Sequence, residues 1–223
     1  MKDIDLILGP RVPKDVLAQE RRRYMLPSSL IGAAAALLLV SIFLPYWQLT
    51  LRAPQYPEGL KTVMYVNHVS GDVDEINHLN HYIGMRPLQE AASLERASSV
   101  FLIVALTLLT LSTIFVHSPM ALFCALPAVA YPAIFMADLY FWMRNFGLNL
   151  DPKAPLSSAV KPFVPPLLGV GNVGQFRTEA VWETGLFLAI AASVLVVIGL
   201  YFHRRAYKPL LEQRLANNAA AER

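Results

Sequence analysis

The sequence has little charge and almost no cysteine for its length. Of 223 residues, 16% are charged and 55% belong to the hydrophobic set, whereas a soluble domain of this size needs a larger charged surface. Cys124 is the one cysteine, which excludes an internal disulfide, a CxxC redox pair and a thiolate zinc cluster. The 16 prolines lie mainly between apolar blocks. Together with the apolar bias they exclude a collagen-like chain, a disordered chain and a long coiled coil.

What the sequence contains instead is four long apolar blocks. They are 28–46, 98–116, 120–141 and 184–202, and each is long enough to cross hydrocarbon about 30 Å thick as a helix. We therefore predict an all-α integral membrane protein with four transmembrane helices in a lipid bilayer.

Basic residues flank the first and last blocks, at 21–23 and from Arg204 onwards. By the positive-inside rule, both termini are expected in the cytoplasm, with a cytoplasmic arm over 1–27 and a tail over 203–223. We expect a multi-pass protein of the bacterial inner membrane. The basic residues flank lipid and lack an interleaved aromatic or glycine-rich motif, so no nucleic-acid partner is predicted.

Two larger loops, 47–97 and 142–183, are then expected on the periplasmic side, because 117–119 is too short for anything but a hairpin. The second loop is rich in proline and turn-forming residues, and we expect it to be ordered without regular structure. Its segment 169–174 spells GxGxxG, but it follows prolines and opens no clear βαβ unit. A dinucleotide site is therefore rejected there.

Two prolines interrupt the third block. Pro127 and Pro132 free the carbonyl groups four residues earlier, those of Phe123 and Ala128. A neighbouring helix must then cover these carbonyls, since the bilayer has no water to do so. We interpret the feature as a packing kink.

The first loop carries the clearest local pattern. Residues 61–69 are rich in β-branched and aromatic types, which predicts a short strand. Asp72 with Glu75 is typical of a capping box at a helix start, and Gly84 with Pro87 of a helix end. We predict an amphipathic helix between them.

One face of that helix collects unusual side chains. At about 100° per residue, His78, His81 and Met85 share a face. Imidazole and thioether ligands suit copper, especially Cu(I), better than zinc or magnesium. His68, or less readily Met64, could complete the site from the preceding strand. The alternative is that the histidines cap carbonyl groups and the face docks on a partner subunit.

Three segments carry a family resemblance. The stretches 53–60 (APQYPEGL), 79–85 (LNHYIGM) and 149–155 (NLDPKAP), spaced between four spans, resemble the small polytopic membrane proteins encoded beside nitrous oxide reductase and its copper-maturation genes. The resemblance implies a copper-enzyme context without specifying a reaction.

The resemblance narrows the predicted copper site. Asn80, His81, Tyr82 and Met85 match the motif of those proteins, whereas His68 and His78 do not clearly match it. The resemblance thus implies His81 with Met85 as the core of the site.

Two functional hypotheses follow. The first is an accessory protein that handles copper for a membrane-bound or periplasmic copper enzyme, or assembles it, within a hetero-oligomer. The second is a non-catalytic structural subunit of a larger membrane complex, such as a copper-dependent monooxygenase or a respiratory oxidase. No nucleophile motif, phosphate loop or haem-attachment motif is recognisable, so an enzyme is not predicted.

Overall fold

The structure, a computed structural model, describes residues 18–173 and 176–221. These residues form five α-helices, a short 3-10 turn at Leu88–Glu90 and five β-strands. The helices are α1 (Ala18–Ser41), α2 (Val73–Ile83), α3 (Ser93–Ser112), α4 (Met120–Leu148) and α5 (Thr184–Ala221). The strands are β1 (Trp47–Ala53), β2 (Tyr56–Met64), β3 (Val69–Gly71), β4 (Gly169–Val173) and β5 (Phe176–Trp182). Most of the predicted arm, 1–17, lies outside the described residues.

Four of the helices have the length and apolarity of membrane spans. They are Arg21–Ser41, Ser93–Ser112, Met120–Leu148 and Thr184–Leu210, and each overlaps one predicted block. The prediction of a multi-pass membrane protein is confirmed to this extent. The first helix ends at Ser41 rather than near Tyr46, because Tyr46 already pairs with the sheet by donating its N–H to the carbonyl of Met64 at 2.8 Å.

The all-α prediction is wrong, because both loops contribute to one antiparallel sheet. Its strand order is β3-β2-β1-β5-β4. The central pairing joins β1 of the first loop to β5 of the second, with Trp47 opposite Trp182. The second loop was therefore wrongly predicted to lack regular structure. Its glycine-rich run forms β4, which pairs antiparallel with β5; Gly174 lies outside the described residues.

The chain divides into two compact units, which we name by their content. The helix unit contains the described residues up to Leu39, with Ile103–Tyr131 and the chain from Ala189 onwards; the sheet unit contains Val40–Leu102 and Pro132–Leu188. In the helix unit, Ser193 of α5 donates a hydrogen bond to the carbonyl of Ala128 on α4 at 3.1 Å. Ala128 is the carbonyl predicted to lose its partner at Pro132, and a neighbouring helix does cover it.

Local signals around α2 are confirmed in part. The helix begins after Asp72 and ends at Gly84, as predicted. The capping-box interpretation is wrong, since the Asp72 carboxylate accepts the backbone N–H of Lys61 on β2 at 2.8 Å instead of capping the helix. The strand predicted over 61–69 is shifted, because β2 ends at Met64 and a tight turn follows.

Candidate binding site in the sheet unit

One face of the sheet forms the floor of a cavity. Side chains alternate between the two faces of a strand, and β1 directs Trp47, Leu49 and Leu51 to this floor. Residues that lie directly opposite one another on neighbouring strands point to the same face. The pairs across β1 are Met64 and Trp182 at Trp47, Thr62 and Ala180 at Leu49, and Leu60 and Thr178 at Leu51.

Helix α2 covers part of that floor. Its residues Val73 and Ile76 are buried with Leu60 of β2 and Leu88 of the 3-10 turn in one apolar cluster. The spacing of three to four residues between buried positions is what an amphipathic helix needs to rest on a sheet.

The C-terminal end of α2 is joined to the second loop by backbone hydrogen bonds. Asp151 donates its N–H to the carbonyl of Gly84 at 2.8 Å, and Leu156 donates to that of Tyr82 at 2.9 Å. Gly84 has φ +80°, and a Cβ there would lie 2.6 Å from the Asp151 carbonyl oxygen. Only glycine suits this position, because other residues rarely adopt this backbone conformation and because there is no space for a Cβ atom. The structure thus joins the segments 79–85 and 149–155.

The cavity between these walls is large and mainly apolar. Its volume is about 390 Å³, and its walls come from the sheet, α2, the second loop and Met143 of α4. Three thioethers line it, those of Met64, Met85 and Met143. Every lining residue lies in the described part of the sheet unit, and none of them carries a charge.

Three buried polar side-chain atoms in the walls have no hydrogen-bond partner among the described residues. They are the hydroxyl oxygens of Thr62 and Thr178 and the amide nitrogen of Asn80. The residues are 2%, 0% and 6% exposed, respectively, and all three line the cavity. We call them the polar triad. Most buried polar groups in proteins are partnered, so this concentration makes the cavity the candidate binding site of the sheet unit.

The structure places the predicted copper ligands on different segments. His78 and His81 lie exposed on α2, one turn apart. Met85 lies beyond the helix end and donates its N–H to the carbonyl of Asn80 at 2.8 Å. Its side chain lines the cavity, which neither histidine lines. The helical face predicted to carry all three side chains therefore stops at Gly84.

His68 lies in the turn between β2 and β3. Its Nδ1 is 2.7 Å from the Asn67 side-chain oxygen, and its ring stacks on Tyr65 at 4.3 Å. Across residues 18–173 and 176–221, no three His, Cys, Asp or Glu side chains are grouped so that they could hold a metal ion. His68 is therefore not brought together with His78 and His81. Copper binding by His81 and Met85 stays a prediction.

Sequence reasoning missed most of the cavity. Thr178 lies on a strand that was not predicted, and Met143 was assigned to a loop. The alternation in Trp47–Ala53 and Phe176–Trp182 was the available signal for two further strands. Their pairing joins distant parts of the chain, and local patterns do not report that.

A second polar cluster lies in the helix unit. The Nδ1 of His117 is 2.9 Å from the Nε2 of His203, and the Tyr207 ring stacks on His117 at 3.8 Å. Burial, together with the neighbouring His203, lowers the pKa of His117 to about 4. This pairing was also missed, because the two histidines are far apart in the sequence.

Known proteins do not identify the chain. No family model and no curated protein matches it. The resemblance to proteins encoded beside nitrous oxide reductase thus stays a prediction.

Proposed function

We propose that this chain is a membrane-anchored, non-catalytic binding protein whose sheet unit holds a small, mainly apolar molecule in its cavity. The observation that carries the proposal is the cavity itself. Its volume of about 390 Å³ lies in the range of roughly 300–1,000 Å³ that small-molecule sites occupy. A bare metal ion needs only one coordination shell, so this space suits an organic molecule better.

The lining favours binding over catalysis. Aliphatic, aromatic and thioether side chains dominate it, and burying apolar ligand surface against them contributes about 25 cal/mol per Å². No carboxylate, imidazole or thiol is among the lining residues, all of which the structure describes. The walls therefore hold hydroxyl groups but none of the carboxylate, imidazole or thiol groups that most often act as general acids, bases or nucleophiles.

The test combines ligand identification with a cavity-filling variant. Full-length protein extracted in mild detergent is analysed by native mass spectrometry, and released small molecules are identified. Leu79→Trp enlarges a half-buried wall residue and is expected to reduce the bound fraction at least tenfold. Leu94→Trp, at a residue 76% exposed in the same unit, is the matched control. Equal occupancy in both variants, or no bound molecule in the wild type, would contradict the proposal.

Copper handling for a partner copper enzyme is the second candidate function. The observation that favours it is that Met64, Met85 and Met143 line one cavity, since soft thioethers suit Cu(I). His78 and His81, exposed on the same unit, are candidate transfer ligands at its surface.

Competition titration with Cu(I) and a chelator tests this candidate. Met85→Leu keeps the approximate volume and removes the sulfur, and we expect it, like His81→Ala, to weaken Cu(I) binding at least tenfold. Met120→Leu, in the other unit, is the control. Wild-type affinity in both variants excludes the predicted site. A stoichiometric partner recovered on mild extraction, with no metal bound, would favour the structural-subunit alternative.

A further inference from the structure

The polar triad points to the chemistry of the ligand. We infer, on the basis of the proposed function, that the cavity takes a neutral, apolar molecule bearing carbonyl oxygens, of the kind represented by alkylated quinones. Thr62, Asn80 and Thr178 are buried in the cavity walls and can form hydrogen bonds to such oxygens.

The triad is divided between two walls. Thr62 on β2 lies opposite Leu49, and Thr178 on β5 lies opposite Leu51. Both threonines therefore flank β1 on its cavity side. Asn80 enters from α2, which covers the sheet. A ligand between the two walls can meet polar groups from the floor and from the helix.

Unpartnered polar groups are concentrated in this cavity. Among the buried side-chain polar atoms of the described residues that have no partner, three belong to the triad. A buried polar group that stays unpaired is destabilising. A ligand that supplies the partners removes that cost at three points of a single cavity.

The donor and acceptor types select the ligand class. The unpartnered amide nitrogen of Asn80 can only donate, so it requires an acceptor on the ligand. Threonine hydroxyls donate or accept, and carbonyl oxygens therefore satisfy all three groups. A hydrocarbon satisfies none of them.

The absence of charge in the described lining makes the ligand neutral. A carboxylate or phosphate would be buried against apolar walls without a counter-charge, which is strongly unfavourable. The indole N–H of Trp47 already donates to the carbonyl of Leu167 at 2.8 Å, so this ring offers an apolar surface. Thioether side chains next to it adapt to rings of different shape.

Binding of decylubiquinone, a benzoquinone with a ten-carbon chain, tests the inference. Full-length protein in lipid nanodiscs is titrated, and the quenching of tryptophan fluorescence is followed. Thr62→Val and Thr178→Val are each expected to weaken binding about three- to tenfold, the value of one hydrogen bond. Asn80→Leu is expected to act in the same direction. Decylbenzene, which has no carbonyl group, should bind the variants at least as tightly as the wild type.

Thermal unfolding separates a ligand role from a structural one. Without ligand, the two Thr→Val variants should unfold at the wild-type temperature or higher, because they remove an unpartnered hydroxyl. The added quinone should then raise the midpoint less than in the wild type. Thr50→Val is the control, since Thr50 lies on the opposite face of the sheet and its hydroxyl accepts a hydrogen bond from Gln48.

The outcomes distinguish the inference from the proposed function. If the wild type binds quinone and all triad variants bind it equally well, the ligand class is wrong and the binding function stands. A co-purified molecule without a carbonyl group likewise overturns the ligand class and leaves the binding function in place. If neither probe binds and no molecule co-purifies, the proposed function fails, and the inference fails with it.

Discussion

At the scale of single residues, Gly84 shows how one position joins two distant segments. Its φ of +80° ends α2, and its missing Cβ leaves room for the Asp151 backbone. Both requirements exclude a side chain for independent reasons. Glycine was predicted here as a helix stop, which is a local role. The close approach of the second loop is a tertiary role that the sequence does not announce.

Gly84→Ala is therefore expected to destabilise the protein by about 2 kcal/mol or more, through left-handed strain and the contact with Asp151. Denaturant titration in detergent measures the change in the free energy of unfolding. Gly32→Ala, in α1 with nothing near an added Cβ, should be neutral or stabilising by up to about 1 kcal/mol. Similar stabilities for the two variants would show that the close approach at Gly84 is absent.

His117 makes stability depend on pH. Its pKa is lowered from 6.5 to about 4, so the unfolded chain takes up this proton more readily than the folded one. As the pH falls from about 6.5 towards 4, the contribution of His117 to stability is lost, with a slope of at most about 1.4 kcal/mol per pH unit. His117→Gln should flatten the pH dependence of the unfolding midpoint in this window. Equal slopes in the wild type and the variant would contradict the assignment.

At the scale of elements, α2 covers part of the sheet and packs on it through one apolar side. One side of this helix packs on β2 and the 3-10 turn, whereas the opposite side carries Asp74, His78 and His81 exposed. Amphipathic spacing was enough to predict the helix and its apolar side. The sheet beneath it was only partly predicted, because strands acquire their partners through tertiary pairing.

Ile76→Ala tests that contact. Ile76 is 3% exposed, and truncating a buried Ile costs about 2–5 kcal/mol. We expect a loss in this range and weaker retention of any bound molecule, since Ile76 also lines the cavity. Asp74→Ala, on the exposed side of α2, should change stability by no more than about 0.5 kcal/mol. Comparable losses from both substitutions would argue against packing of α2 on the sheet.

At the scale of the whole molecule, the chain combines membrane-length apolar helices with a sheet formed by the two larger loops. The membrane-length helices keep large apolar side chains exposed, for instance Phe101 at 74% and Phe123 at 66%, which suits contact with lipid. Because β1 pairs with β5, the two larger loops must meet in one sheet. We therefore expect both loops on the same side of the membrane.

Reporter fusions test this arrangement. Reporters at Ser93 and Ser158 should be active on one side of the membrane, and a reporter at His117 on the other. The positive-inside pattern predicts His117 on the cytoplasmic side. Activity of the Ser93 and Ser158 reporters on opposite sides would be incompatible with a sheet that combines the two loops.

The sequence alone was sufficient for the four spans and for the limits of α2. Apolar length depends on composition, and a helix end depends on neighbouring residues, so both are local properties. Tertiary structure alone decided the sheet, the approach of Asp151 to Gly84, the His117–His203 pair and the cavity with its polar triad. Each of these depends on residues far apart in the chain, and backbone hydrogen bonding between distant strands leaves only a weak pattern in either one.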